Sequence, residues 1–159
     1  MEAAYLDVIA LVERLHRRFL ELVKLELDTQ GIDDINNVQA LILFNIGDLE
    51  MNIGELMLRG CYLGSNVSYF VKKLAEAGYL LQERPERDRR FTIVRLSEKG
   101  RAVREKIAAM HERTVAALSK SRLTEQDLTS TSVALRRLDR FWTVTADLGA
   151  RATQLMSAA

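Results

Sequence analysis

The 159-residue sequence predicts a mainly α-helical chain carrying one small β element of two to three strands. Three observations predict it. Residues from about 3 to 29, and again from 98 onward, repeat apolar side chains at spacings of three and four, the period of an amphipathic helix. Residues 52–77 read as two short helices joined by a Gly-containing turn. Phe91 to Leu96, with β-branched Thr92-Ile93-Val94, has strand composition and follows a charged turn.

The first helix carries Tyr5, Val8, Ile9, Val12, Leu15, Phe19, Leu20, Leu22, Val23 and Leu27, and Leu6, Leu11 and Leu25 widen the arc. A helix apolar over most of its circumference is buried from more than one side, and in a chain this small the second side belongs to another copy. Gly31 stops it, and Asp33-Asp34-Ile35-Asn36-Asn37 offers caps for a short second helix through Val38, Leu41, Ile42, Phe44, Asn45 and Ile46, ending near Gly47. Asn52-Ile53-Gly54-Glu55 has capping-box spacing and opens a third helix through Leu56-Met57-Leu58. Gly60 to Gly64 is the turn, and Ser65 caps a fourth helix running to about Ala77.

Strand, tip and strand then occupy Tyr79 to Leu96. Pro85, the one proline in the chain, fixes φ where the first strand gives way. Tyr79, Leu81, Ile93 and Val94 are the residues expected to hold this marginal hairpin on the helices. Ser97 caps a long helix from Glu98 to about Ser119 with Val103, Ile107, Met110, Val115 and Leu118 as its stripe. Thr124 and Asp127 form a second capping box, with Leu123 stapled on Leu128. The last helix carries Val133, Leu135, Leu138, Phe141, Trp142, Val144 and Leu148, and the tail after about Arg151 is weakly anchored.

The formal net charge of +1 hides a division. Residues 1–58 hold 4 Lys/Arg against 11 Asp/Glu, or −7; residues 59–104 hold 11 against 5, or +6; residues 105–159 hold 8 against 6, or +2. The basic excess sits on the fourth helix and the hairpin, and such clustering suggests a face for phosphate. No stretch approaches a membrane span, and no basic-then-apolar signal pattern opens the chain. A single cysteine suits a reducing cytoplasm. No metal spacing, phosphate loop or nucleophile elbow is found, so catalysis, metals and cofactors are not expected.

Ser65 to Leu74, then Glu76-Ala77-Gly78-Tyr79-Leu80, then Asp88-Arg89-Arg90 and Val94-Arg95-Leu96-Ser97-Glu98-Lys99-Gly100, stand in an order and spacing that resembles the MarR family of bacterial transcription regulators. The chain departs from that pattern in Asn36-Asn37 at the entry to the second helix, in Tyr69 where a basic residue is common, and in Cys61. The resemblance implies a single unit over 1–159, with a winged helix-turn-helix DNA-binding lobe at 32–98 and dimerisation helices at 1–31 and 99–159. It implies a homodimer that reads a palindromic operator in double-stranded DNA, more a repressor than an activator, released by a small anionic or aromatic effector. The alternative is a winged-helix protein-interaction module without DNA binding.

Small hydroxyls and an amide near a helix N-terminus approach base edges closely, so Ser65, Asn66 and Ser68 are expected in the major groove. Tyr69 suits a thymine methyl or a phosphate, and Lys72 and Lys73 suit phosphates. Arg90 is expected in the minor groove, where negative potential favours guanidinium, with Asp88 bracing its fork and Arg87 and Arg89 on phosphates. His16, within an apolar helix, reads first as a packing residue. The resemblance places effectors where the first and fifth helices meet the lobe, which makes His16, Arg17, His111 and Trp142 candidate pocket members. Cys61, in the turn before the fourth helix, reads as a small buried hydrophobe, with redox sensing as the alternative.

Overall fold

The computed structural model describes residues 1–60, 64–83 and 92–157. Six helices and three strands follow in the order α1 (Glu2–Thr29), α2 (Asn37–Ile46), β1 (Met51–Asn52), α3 (Ile53–Gly60), α4 (Gly64–Glu76), β2 (Leu80–Glu83), β3 (Ile93–Leu96), α5 (Glu98–Leu118) and α6 (Glu125–Ser157), counted among the described residues. Two compact units divide the chain, Met1–Glu112 and Arg113–Ala159.

In the first unit the helix ends are set by local chemistry. At the end of α1, Gly31 adopts φ +66°, and its N–H and that of Ile32 bond back to the carbonyls of Asp28 and Leu27 at 3.1 and 2.9 Å. These two bonds satisfy carbonyls a helix end would otherwise leave open. Asn36 and Gln39 cap α2 reciprocally, each side chain accepting from the other's backbone N–H at 2.9 Å. Asn52 and Glu55 repeat the device at α3, also at 2.9 Å in both directions. The end of α4 repeats α1: Gly78 sits at φ +79°, with Tyr79 N–H on the Leu74 carbonyl at 2.8 Å and Gly78 N–H on Ala75 at 3.0 Å.

The sheet is antiparallel in the order β1-β3-β2. Met51 faces Val94 across β1 and β3, while Leu80, Leu81, Gln82 and Glu83 face Leu96, Arg95, Val94 and Ile93 across β2 and β3. Alternation sends Val94 and Leu96 inward and Arg95 outward. Tyr79 and Val94 are buried as expected, and Ile93 is half-buried, but Leu81 is exposed. Leu80, one residue earlier, takes its place in the core because a strand's side chains change face at every step.

The core joins the second half of α1 (Val23, Leu27) to α2 (Ile42, Leu43, Ile46), α3 (Leu56), α4, the sheet and the first half of α5 (Val103, Ile107, Met110). At the start of α5, Ser97 Oγ accepts from the Gly100 N–H at 3.1 Å.

The second unit takes in the end of α5 and all of α6. Thr124 and Asp127 cap α6: Asp127 N–H donates to Thr124 Oγ1 at 3.1 Å, and Thr124 N–H to Asp127 Oδ2 at 2.9 Å. The Thr124 hydroxyl, which donates to Asp127 Oδ2 at 2.6 Å, and then the Thr124 N–H hold the Asp127 carboxyl below its ordinary value. The helix continues to Ser157, beyond the tail expected from about Arg151. Residues 150–157 (Ala-Arg-Ala-Thr-Gln-Leu-Met-Ser) are mostly strong helix formers, and no proline interrupts them.

Candidate DNA interface

Val67, Val71 and Leu74 lie at spacings of four and three on α4, and each is 0% exposed. That stripe fixes the helix's rotation. Asn66, Ser68, Tyr69, Lys72 and Lys73 are consequently all exposed, Tyr69 by 58% with its ring tilted against Phe70. Ser65 lies in the first turn of α4, and its side chain falls outside the described residues. So do Cys61, Pro85, Arg87, Asp88, Arg89 and Arg90.

The lysines share one counter-ion. Lys73 Nζ is 3.0 Å and Lys72 Nζ 3.9 Å from Glu76. The Lys73 bond holds Glu76 below its ordinary value, and Glu76 raises Lys73 in return. Both pairs are exposed and hold the lysine heads weakly, so a phosphate can displace Glu76.

Three cations of the basic stretch also pair with acids from elsewhere in the chain. Lys99 Nζ meets Asp34 at 2.8 Å, Arg104 meets Asp48 at 2.9 Å, and Arg95 Nε meets Glu50 at 3.6 Å. In each pair the base comes from the +6 stretch and the acid from the −7 stretch. Part of the basic excess is therefore already paired with acids within the chain. Charge counting along the chain could not single out that part.

Sequence reasoning also missed a cluster behind α4. The Tyr79 hydroxyl donates to Asp34 Oδ1 at 2.5 Å, and Lys99 Nζ donates to Asp34 Oδ2 and to the Ala77 carbonyl at 3.1 Å. The Lys99 ammonium also stands 4.0 Å from the centre of the Tyr79 ring. Beside it, Ser97 Oγ donates to the Gly78 carbonyl at 2.7 Å and Ser97 N–H to the Tyr79 carbonyl at 3.0 Å. A Cβ at Gly100 would lie 2.2 Å from that same Tyr79 carbonyl oxygen, so only glycine lets α5 start there. Gly78-Tyr79 and Ser97-Glu98-Lys99-Gly100, read as separate motifs, are two halves of one joint. Their spacing carried that signal; Asp34, read only as a capping residue, carried none.

Of the effector candidates, Arg17 lines an open groove of about 510 Å³ with Leu20, Lys24, Leu25 and Asn37 among its walls. The Arg17 guanidinium also lies 3.6 Å from Glu13. His111 packs against Phe19 and Phe44, ring centres 5.7 and 5.1 Å away. His16 is exposed within the chain, and the histidine that packs inside the first unit is His111. Trp142 lies in the second unit. Among the described residues no group of His, Cys, Asp and Glu is placed to hold a metal ion, and no helix is long and apolar enough to cross a membrane.

Two consecutive short helices, α3 and α4, the second with an exposed polar face, and an antiparallel sheet define a winged helix-turn-helix protein. Residues 35–100 match the winged helix DNA-binding domain family. The exopolysaccharide II synthesis transcriptional activator ExpG of Rhizobium meliloti (strain 1021) is 37% identical over 138 residues, covering 87% of this chain and 71% of that protein. Among solved structures, Staphylococcus aureus MarR in complex with salicylate and kanamycin is similar with a TM-score of 0.71 at 18% identity, covering 89% of this chain and 94% of that one. Streptococcus pneumoniae FabT in complex with DNA is similar at 0.70 and 18%, covering 87% and 97%. The chain belongs to the MarR family of winged helix-turn-helix transcription regulators, and is a DNA-binding regulator of that type.

Proposed function

We propose that two copies of the chain assemble through α1, α5 and α6 and read a palindromic duplex. Each α4 enters a major groove, and each arginine-rich segment at 84–90 enters the neighbouring minor groove. The observation that carries this reading is the two-faced α4, whose rotation is fixed by a fully buried stripe while Asn66, Ser68 and Tyr69 stand outward. Ser65, Lys72, Lys73, Arg87, Arg89 and Arg90 complete the contact set, with Asp88 bracing Arg90. Dimerisation is supported by apolar side chains left uncovered within the chain, among them Leu15 (61% exposed) on α1 and Phe141 (64%) on α6. Paired copies would set their recognition helices about one turn of DNA apart. The protein would act in the cytoplasm, where its DNA lies.

A small anionic or aromatic effector would bind at the α1 groove, where Arg17 and Lys24 stand among Leu20, Glu21, Leu25 and Asp28, with His16 and His111 as further contributors. Its binding would release the DNA and so relieve repression. The R. meliloti relative is described as a transcriptional activator, which favours a second reading in which the bound protein raises transcription. A reporter fused to a bound promoter, assayed with and without the chain, decides the sign.

The groove reading is tested by fluorescence anisotropy on the tightest duplex recovered from a random library. Affinity should fall by on the order of 10³–10⁵ between about 50 and 200 mM salt if six to ten phosphates are contacted. Asn66→Ala and Ser68→Ala should alter preference at particular base pairs. An equal loss on every sequence would overturn the major-groove assignment.

A further inference from the structure

Asp34, Tyr79 and Lys99 come from three separate parts of the first unit: the α1–α2 connection, the residue leaving α4, and the first turn of α5. One carboxylate serves both partners, with Tyr79 on Oδ1 and Lys99 on Oδ2. The tyrosine ring is buried, so its hydroxyl cannot swing to another acceptor without unpacking the core. Lys99 adds a bond to the carbonyl of Ala77, the residue immediately after α4. None of the three side chains lies on the face of α4 that carries Asn66, Ser68 and Tyr69.

We infer that Asp34, Tyr79 and Lys99 form a latch that sets the orientation of the recognition helix, making them positioning residues for sequence readout rather than DNA contacts. A helix anchored only by its apolar stripe can rock about that stripe, because dispersion contacts are non-directional. The latch adds directional bonds at the helix's C-terminal end and ties it to two neighbouring elements. Base-edge hydrogen bonds weaken steeply with misalignment, whereas phosphate attraction tolerates it. Loosening the latch should therefore cost specificity before it costs affinity for DNA in general. The inference rests on α4 being the helix that reads bases.

The test uses the full chain, the selected duplex and a scrambled duplex of the same length. Tyr79→Phe keeps the ring and removes the hydroxyl; Lys99→Met keeps the stem and removes the charge; Asp34→Asn keeps the shape. Each variant should bind the selected duplex on the order of tenfold more weakly, the scale of one good base contact. Binding to the scrambled duplex should be unchanged. The slope of log affinity against log salt should also be unchanged, and Asp34→Asn combined with Lys99→Met should be little worse than either alone. Three results would overturn the latch: no loss on the selected duplex, an equal loss on both duplexes, or a salt slope reduced by about one on Lys99→Met, which would make Lys99 a phosphate contact. Ser68→Ala run alongside separates the two readings. If Ser68→Ala leaves base preference intact, the groove assignment fails; if it shifts preference while Tyr79→Phe does not, the latch fails.

Discussion

Helix α4 and the first half of α1 are both amphipathic, yet one is finished within the chain and the other is not. The stripe of α4 is completely buried by its own lobe, and its exposed side chains among the described residues are polar or charged apart from Tyr69. In α1 the burial begins only at Val23, and Tyr5, Leu6, Leu11 and Leu15 are left uncovered. The same contrast separates α4 from α6, where Val133, Phe141 and Val144 are exposed. An exposed apolar row costs solvation free energy that a soluble helix rarely bears alone. The lobe's helices thus find their partners within the chain, whereas the terminal helices leave apolar rows uncovered there, the surface proposed above for a second copy.

The largest expected effect lies on the finished side. Leu74→Ala removes a fully buried side chain and should destabilise the protein by about 2–5 kcal/mol in denaturant unfolding, wherever the protein concentration is set. A loss that vanished at high concentration would mean the lobe too depends on assembly.

On the unfinished side, Leu15→Ser should weaken self-association by about 1.5–3 kcal/mol, the worth of one buried leucine, while leaving the lobe's core untouched. Sedimentation across a concentration series reads this directly. An unchanged dimer would remove α1 from the interface, and a wild-type monomer at micromolar concentration would break the comparison altogether.

Gly100→Ala probes the joint between the sheet and α5. Its new methyl would press on the Tyr79 carbonyl oxygen 2.2 Å away, so backbone must shift, at about 1–3 kcal/mol. A melting temperature unchanged from wild type would show that α5 starts more loosely than the hydrogen bonds imply.

The smallest effect concerns Asp34. Its carboxyl is held below the ordinary value of 3.8, first by the Lys99 bond and then by the Tyr79 hydroxyl. A depressed folded-state value adds stability above the ordinary value, and that stability is lost as pH falls through the lower one. Because the Lys99–Asp34 pair is about half exposed, the contribution should stay below about 1 kcal/mol. Wild type should therefore exceed Asp34→Asn by a small, constant margin from neutral pH down to the ordinary carboxylate value, and the margin should shrink in stronger acid. Lys99 and Tyr79 are raised, Lys99 chiefly by its bond to Asp34 and Tyr79 chiefly by burial, so their shares persist below their ordinary values and fade only in strong base. A margin that grew in acid would have the sign wrong.

Local chemistry is legible from residue order alone. Asn36 with Gln39, Asn52 with Glu55 and Thr124 with Asp127 cap helices across three residues, and Gly31 and Gly78 end helices in conformations other residues resist. Such bonds close within a few residues, so order along the chain suffices to see them. The polar face of α4 was legible for the same reason: a period of 3.6 tells inside from outside. The exposed Leu81 marks the limit, since which face of a strand turns inward depends on what covers it. Tertiary structure alone decided that Asp34 meets Tyr79 and Lys99 across 45 and 65 residues, and that Glu50 and Asp48 meet Arg95 and Arg104. Charges attract across any chain separation once folding brings them close. A linear charge count cannot know which cations the fold has already matched, and so cannot say which are left for DNA.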